Sequence, residues 1–392
     1  MFGSIYIGLS GLNAYSRGLQ QVSNNVSNLN TTGFKSSTVS FRNLYGTSDK
    51  GGMALTGNGG SGGHGVTNGD AALDLKQGEL RTTDRDLDLA VDGNGFLVLL
   101  DGTRTVYART GSFQVDPDGY IVMAGTGYRL ATLDAANRPV ALSVDGQRTS
   151  VPKATRKIAF AGNLSSSATR FSVGNLTVYD ANGAAHVWTA TFTRDAATNP
   201  AWQVAVTDDK GAAIGTKSLG FTNGGVDPAA AKLEFADAAS GLAVTLDFPA
   251  GVTSFSAGDV STLRSSAIDG YASGTLVTVA VTDRGKLELA YSNGQKNDLG
   301  AVALADFRDP GALEQREGIF VRGDDGGDYA YMSSDDPRVG EIRSKRLEAS
   351  NVDLSREFGD LILIQRGFQA ASQIVSVSND MIQQLFGIRG QG

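Results

Sequence analysis

The sequence predicts an α+β fold, mainly β, with a helix at each end of the chain and a β middle. Three observations predict it. All eight prolines lie between Pro117 and Pro337, so the first 116 and the last 55 residues lack the residue that breaks helices most strongly. Apolar side chains at both ends recur every three or four positions, the repeat of a helix face. Between the ends the period changes to alternation, and short apolar runs are separated by turn residues drawn from an unusually large pool of 51 glycines.

At the N-terminus, Ile5, Leu9, Leu12, Tyr15, Leu19, Val22, Val26 and Leu29 form one helical face. Ser4, Gly8, Gly11, Ala14 and Gly18 form a second, of small residues. A glycine inside a helix costs about 1 kcal/mol relative to alanine, so this face calls for a neighbouring helix packed very close. Residues 46–69, with the run GNGGSGGHG, read as an irregular connector.

The β middle starts with Leu87–Val91, Phe96–Leu100, Thr105–Arg109, Tyr120–Met123 and Tyr128–Leu133. These runs are punctuated by Asp92-Gly93-Asn94-Gly95 and Asp116-Pro117-Asp118-Gly119. A second group comprises Asn175–Tyr179, Val187–Thr193, Trp202–Val206, Lys232–Phe235 and Leu242–Phe248, and a third Thr275–Thr282 and Lys286–Tyr291.

In the C-terminal segment Asn351 or Asp353 can cap a helix, and Glu357 and Asp360 put negative charge in its early turns, where the helix dipole favours it. Leu354, Phe358, Leu361, Phe368, Ala371, Val375, Ile382 and Leu385 recur near a 3.5 spacing, a coiled-coil-like seam that Gln365 interrupts. Ile362, Ile364, Ile374, Val377 and Ile388 widen the apolar surface beyond one stripe, so the helix must be covered on more than one side. Two such helices most simply pack on each other and on copies of themselves. The expectation is a polymer subunit.

Composition removes most catalytic chemistry. With no cysteine and only His64 and His186, one chain cannot build disulfides, thiolate sites or multi-histidine zinc sites. Neither histidine accompanies a nucleophile elbow, no feature nominates a carboxylate pair, and the Gly-x-Gly pairs at Gly93/Gly95 and Gly125/Gly127 lack the third glycine of a dinucleotide site. Asp116-Pro117-Asp118-Gly119 reads as a hairpin turn, because the glycine and glutamate of a calcium loop do not follow. The acidic run Asp324-Asp325-Gly326-Gly327-Asp328 reads as a surface turn, and Arg322-Gly323-Asp324 as a chance match to an adhesion tripeptide. The expectation is no enzyme, no cofactor and no metal. A net charge of −7 argues against nucleic acid as a partner, and no apolar run is long enough to insert in a membrane or act as a signal peptide.

Several motifs carry a resemblance. Leu9-Ser10-Gly11-Leu12-Asn13-Ala14, then Asn24-Asn25-Val26-Ser27-Asn28 and Asn30-Thr31-Thr32-Gly33-Phe34-Lys35-Ser36, resemble the opening signature of the bacterial flagellar rod, hook and hook-associated axial family. Glu348-Ala349-Ser350-Asn351-Val352-Asp353-Leu354 with Gln365-Arg366-Gly367-Phe368-Gln369-Ala370 is similar to its closing signature. Leu87–Phe96 and Tyr107-Ala108-Arg109-Thr110-Gly111-Ser112-Phe113 resemble the shared β-domain motif, and Ser292–Gln295 with Leu299–Ala305 the return half of that domain. The likeness covers about 60% of the chain, leaving roughly 153–262 without a recognised motif.

The resemblance implies two nested β domains between paired terminal helices: an assembly domain of 1–70 and 346–392, a discontinuous β domain of 71–152 and 263–345, and an inserted outer β domain of 153–262. Length and the return-half motif favour the hook members, which form the flexible tubular joint between motor and filament, over the shorter rod members. A distal-rod or hook–filament junction protein of the same family stays open as an alternative, and a secreted carbohydrate-binding β protein as a more distant one. Implied partners are the chain itself, the distal rod protein, the hook cap, the junction proteins and the flagellar type III export apparatus, with export to the cell exterior without a cleaved signal peptide. The residues expected to carry self-assembly are Ile5, Leu9, Leu12, Leu19, Val22, Val26, Leu29, Leu354, Phe358, Leu361, Phe368, Val375, Ile382 and Leu385. The family motif residues are Asn24, Asn25, Thr32, Gly33, Phe34 and Lys35, with Phe34 and Lys35 expected to fix where the first helix stops and Gly33 equally readable as a helix C-cap.

Overall fold

The computed structural model describes residues 2–43, 65–69, 71–194, 201–238, 240–316, 318–323, 327–334 and 336–389. His64, most of the glycine-rich connector and Asp324 to Gly326 lie outside the described residues. The chain divides into two compact units, the first made of Met1–Asp145, Val279–Glu288 and Asp298–Gly392, the second of Gly146–Thr278 and Leu289–Asn297.

The first unit holds two long helices, α1 (Phe2–Ser27) and α2 (Leu354–Arg389). Asp353 caps α2, its Oδ1 accepting from the backbone N–H of Ser355 at 2.9 Å, which leaves Asn351 free for another task. The β part is a large antiparallel sheet. Strands Phe96–Asp101, Arg104–Ala108, Thr110–Val115, Ile121–Met123 and Arg129–Leu133 come from before the second unit in sequence. Leu304–Phe307, which pairs directly with Phe96–Asp101, and Ile319–Arg322, which pairs with Arg104–Ala108, come from after it. Asp116-Pro117-Asp118-Gly119 is the hairpin turn the sequence predicts, with Gly119 N–H donating to Asp116 O at 3.0 Å and Gly119 at φ +82°. Strand ends in this unit are longer or shifted by a residue, and Thr110–Val115, Leu304–Phe307 and Ile319–Arg322 are additions to the sequence reading, the alternation of the first hidden by Gly111.

The second unit packs a four-stranded meander (Arg170–Tyr179, Ala185–Arg194, Trp202–Thr207, Ala213–Leu219) against a second sheet centred on Lys157–Asn163 and Leu242–Asp247. Trp188, Trp202, Phe160, Phe192 and Phe248 fill the space between, with Phe160 stacked on Phe248 at 4.8 Å. Both tryptophans are buried, so neither is presented to a sugar. That removes the feature on which a carbohydrate-binding reading would have rested.

Candidate assembly surface

The two terminal helices pack antiparallel, and the small face of α1 makes the contact. A Cβ placed on Gly8 would lie 2.7 Å from Val375 Cγ2, one on Gly11 3.2 Å from Ala371 Cβ, and one on Gly18 3.2 Å from Ile364 Cδ1. Conversely Gly367 of α2 lies directly under the Tyr15 ring, with no room for a side chain. The glycines that weaken α1 as an isolated helix are therefore what lets α2 approach it. On α2 the fully covered positions are Glu357, Ile364, Ala371 and Ser378, spaced by seven. The strand pair Phe41–Asn43 and Val66–Asn68 lies along α1, with Val66 N–H donating to Ser10 Oγ and Asn68 Nδ2 donating to Ala14 O.

This arrangement sorts the expected assembly residues into two groups. Val22 is buried between the helices, and Ile5, Leu12, Val26, Leu361, Val375 and Ile382 are half-buried there or beside it. Leu29 is half-buried in the turn beyond the end of α1, so the helical face stops one turn earlier than its periodicity suggested. Leu9, Leu19, Leu354, Phe358 and Phe368 instead face outward, Leu9 at 52% and Phe358 at 50% exposure. Tyr6, Ile362, Leu363, Ile374, Val377 and Met381 join them, Leu363 at 70%. The side chain of Leu385 lies outside the described residues.

Where the helices meet the sheet, the family motifs converge on a buried cluster of charge. Lys35 Nζ lies 2.7 Å from Glu348 Oε1, both side chains wholly buried, and also donates to Lys76 O at 2.6 Å. Glu348 Oε1 accepts from Gly78 N–H at 2.8 Å, and Oε2 lies 3.5 Å from Arg109 Nε without hydrogen-bond alignment. Arg109 donates in turn to the carbonyls of Gly93 and Gly95. Two cations thus share one carboxylate. Burial lowers the pKa of Lys35 and that of Arg109, and the charge of Glu348 opposes this in both cases.

Asparagines complete the junction. Asn351 Oδ1 accepts from Ser36 N–H at 2.8 Å, and its Nδ2 donates to Asp74 O at 2.6 Å and Lys76 O at 3.0 Å. Asn25 exchanges bonds with the backbone of Ser37 and donates to Glu357 Oε1 at 3.0 Å. Glu357 lies in the first turn of α2 as the sequence indicates, but it is buried against α1, and desolvation raises its pKa. Gly33, at φ +71°, is not a helix C-cap; its N–H donates to Glu348 O at 2.8 Å, so it closes the junction several residues past α1. Phe34 is half-buried beside it, Asn24 and Thr32 are exposed, and the Asn24 side chain accepts from Asn28.

Arg109 and Glu348 stand inside the motifs that carry the resemblance, but nothing in the sequence alone assigns them a role. The available signal was a charged residue inside each of three motifs that resemble one family.

Helices from the two chain ends pack on one another and join an antiparallel sheet of early and late strands through the charge cluster; the motifs that build this arrangement are those that resemble the flagellar axial proteins of the rod-and-hook class, and comparison with known proteins agrees. Family models match four stretches: the Flagella basal body rod protein over 5–35, the Flagellar hook protein FlgE/F/G D1 domain over 90–175, the Flagellar basal body protein FlaE D2 domain over 150–271, and the Flagellar basal body rod FlgEFG protein C-terminal region over 343–388. The chain is 28% identical to the flagellar hook protein FlgE of Borreliella burgdorferi over 99% of its own length and 100% of that protein. It is 28% identical to the Escherichia coli hook protein over 97% and 98%. A crystal structure of Helicobacter pylori flagellar hook protein FlgE2 shares the fold over 69% of this chain, with a TM-score of 0.50 at 12% identity. The chain belongs to the flagellar hook protein family, and it is a structural subunit of the hook rather than an enzyme.

Proposed function

We propose that copies of this chain polymerise through the outward faces of the α1–α2 pair into the tubular, flexible hook that passes torque from rod to filament. The observation that carries this is the apolar surface left uncovered on a pair already packed together: Leu9, Leu19, Phe358, Leu363 and Phe368 remain exposed in the single chain. Large apolar side chains exposed in this number on several sides of one helix pair mark interaction surfaces, and neighbouring helix pairs, meeting as a coiled-coil-like lattice, would cover them. In this reading the paired ends, 1–70 and 346–392, form the assembly domain, and the discontinuous β domain that follows is interrupted by an inserted domain whose ends meet at Lys153 and Tyr271 rather than at 153 and 262. The distal rod protein, hook cap and junction proteins then meet the tube at its ends. The chain reaches the cell exterior through the flagellar type III apparatus without cleavage.

Phe358→Asp and Phe368→Asp test the assembly face. Both side chains are exposed in the single chain, so the variants should keep the wild-type circular dichroism spectrum. A carboxylate buried between copies costs several kcal/mol, so they should not sediment as polymer. Polymer of normal length from both variants would remove the outward face from assembly.

A further inference from the structure

The sheet of the first unit carries a concavity of about 710 Å³ that the helix pair does not use. Tyr107, Tyr128, Tyr329 and Tyr331 line it, with Arg104, Arg316 and Arg322 around them and Asp101 as the one described acid. An aromatic series runs into it from the core. Phe307 packs edge-on against both Phe96 and Tyr107, at 5.6 and 4.7 Å, and lies 6.0 Å from Tyr329, which packs edge-on against Tyr331 at 5.3 Å. The Arg322 guanidinium sits 4.8 Å from the Tyr329 ring centroid, and Arg316 is engaged by Glu314 at 2.7 Å. Among the described residues Arg104 and Arg322 have no carboxylate partner. The Tyr107 hydroxyl is held well above its ordinary range by burial and by the neighbouring phenols, so it remains a neutral hydrogen-bonding group.

Rigid tyrosines anchored in a core and flanked by arginines are the composition of a binding hot spot: aromatic area for an apolar stem, guanidinium for a carboxylate. We infer that this concavity is a socket for a carboxylate-bearing segment of a second copy of this chain. Charge complementarity selects that occupant, since the chain carries a net −7 and a second copy therefore offers a surplus of carboxylates over cations to a cationic patch. The inference rests on the assembly reading, which puts other copies at the highest local concentration. It adds a lateral contact that the terminal helices do not supply.

The test places the photo-crosslinking residue benzoylphenylalanine at position 128 and assembles it with isotopically heavy wild-type chains. Irradiation of the pelleted polymer should give light–heavy crosslinks to a peptide containing Asp or Glu. The double variant Arg104→Glu/Arg322→Glu, altered at exposed sites, should fold normally and raise the concentration needed for assembly by about tenfold, whereas Arg104→Lys/Arg322→Lys should not. Polymer that forms normally but gives no crosslink, or only an intramolecular one to the 324–328 turn, overturns the socket and leaves the assembly reading standing. Failure of the wild-type chain to polymerise overturns both.

Discussion

Replacing Glu348 with glutamine removes the one anion from a buried site that holds two cations. Glutamine keeps the side-chain length and an oxygen that Lys35 Nζ and the Gly78 N–H can still reach, so shape and most hydrogen bonds survive. What is lost is the counter-charge. Removing one partner of a buried pair costs about 3–5 kcal/mol, and the retained amide oxygen places Glu348→Gln near the lower figure. A loss of about 3 kcal/mol is roughly two orders of magnitude in the opening equilibrium.

The chain provides its own internal control. Its two tryptophans, Trp188 and Trp202, are both buried in the second unit, so their fluorescence reports urea unfolding of that unit alone. The junction is read by hydrogen exchange at Gly33, Ser36, Gly78 and Ala349, whose amides bond across it. The expected result is an unchanged fluorescence midpoint with roughly hundredfold faster exchange at those four amides. Lys35→Met, which leaves Arg109 facing Glu348 as a one-to-one pair, should cost less. Exchange within threefold of wild type in Glu348→Gln, or a larger effect from Lys35→Met, would refute the view that a shortage of anion governs this site.

The remaining predictions concern helix spacing, pH and domain boundaries. Gly11→Val forces branched methyls into the contact with Ala371 and should reduce helical circular dichroism of the assembled protein by prising α1 from α2, while Gly3→Ala, where a Cβ meets nothing, should be neutral. Burial raises the pKa of Glu357, so its stabilising contribution is complete below the unfolded value and is lost as pH rises through the folded one. Glu357→Gln should therefore protect the α1–α2 amides from exchange better than wild type at pH 7, and the advantage should vanish below about pH 4; an advantage independent of pH would refute the desolvation account. Lys153 and Tyr271 exchange both backbone hydrogen bonds, at 2.9 and 3.0 Å, so the chain passes side by side there. Deleting 154–270 and joining the ends with a two-residue turn should leave a folded protein, because loop closure at so short a span costs little. Deleting 153–262 should aggregate instead, since it removes Lys157–Asn163 and strips Arg264–Ile268 of its partner strand.

The helices were legible because periodicity acts over many residues: eight apolar positions in the N-terminal segment agree on one face, and no proline contradicts them. Several strands of the second unit were legible for the same reason, their inward residues alternating strictly, as in Trp202–Thr207, whereas Lys157–Asn163, Ala213–Leu219 and Arg264–Ile268 were not, because Gly162, Gly215 and a run of small polar residues interrupt the pattern. The division of labour between faces was only half legible. The sequence shows a small face and a large apolar face on α1, and packing density decides which of them a partner helix takes. Only the small face lets the two backbones approach so closely, so Leu9 and Leu19 of the large face are left outward while Val22 is buried and Ile5, Leu12 and Val26 are half-covered at its edge. The charge cluster was illegible because nothing periodic announces it. Lys35, Arg109 and Glu348 are separated by 74 and 239 residues, and each looks locally like a solvated charge; burial arises only when strands from both sides of the second unit close one sheet. A polymer subunit with terminal helices that need neighbours gains from such a cluster what an apolar core would not give. Misregistered apolar side chains can still be buried at small loss, but a lysine and an arginine can be buried only where the glutamate is. On this argument the junction fixes the register of both chain ends on the sheet, and with it the setting of the α1–α2 pair on which the proposed assembly face depends.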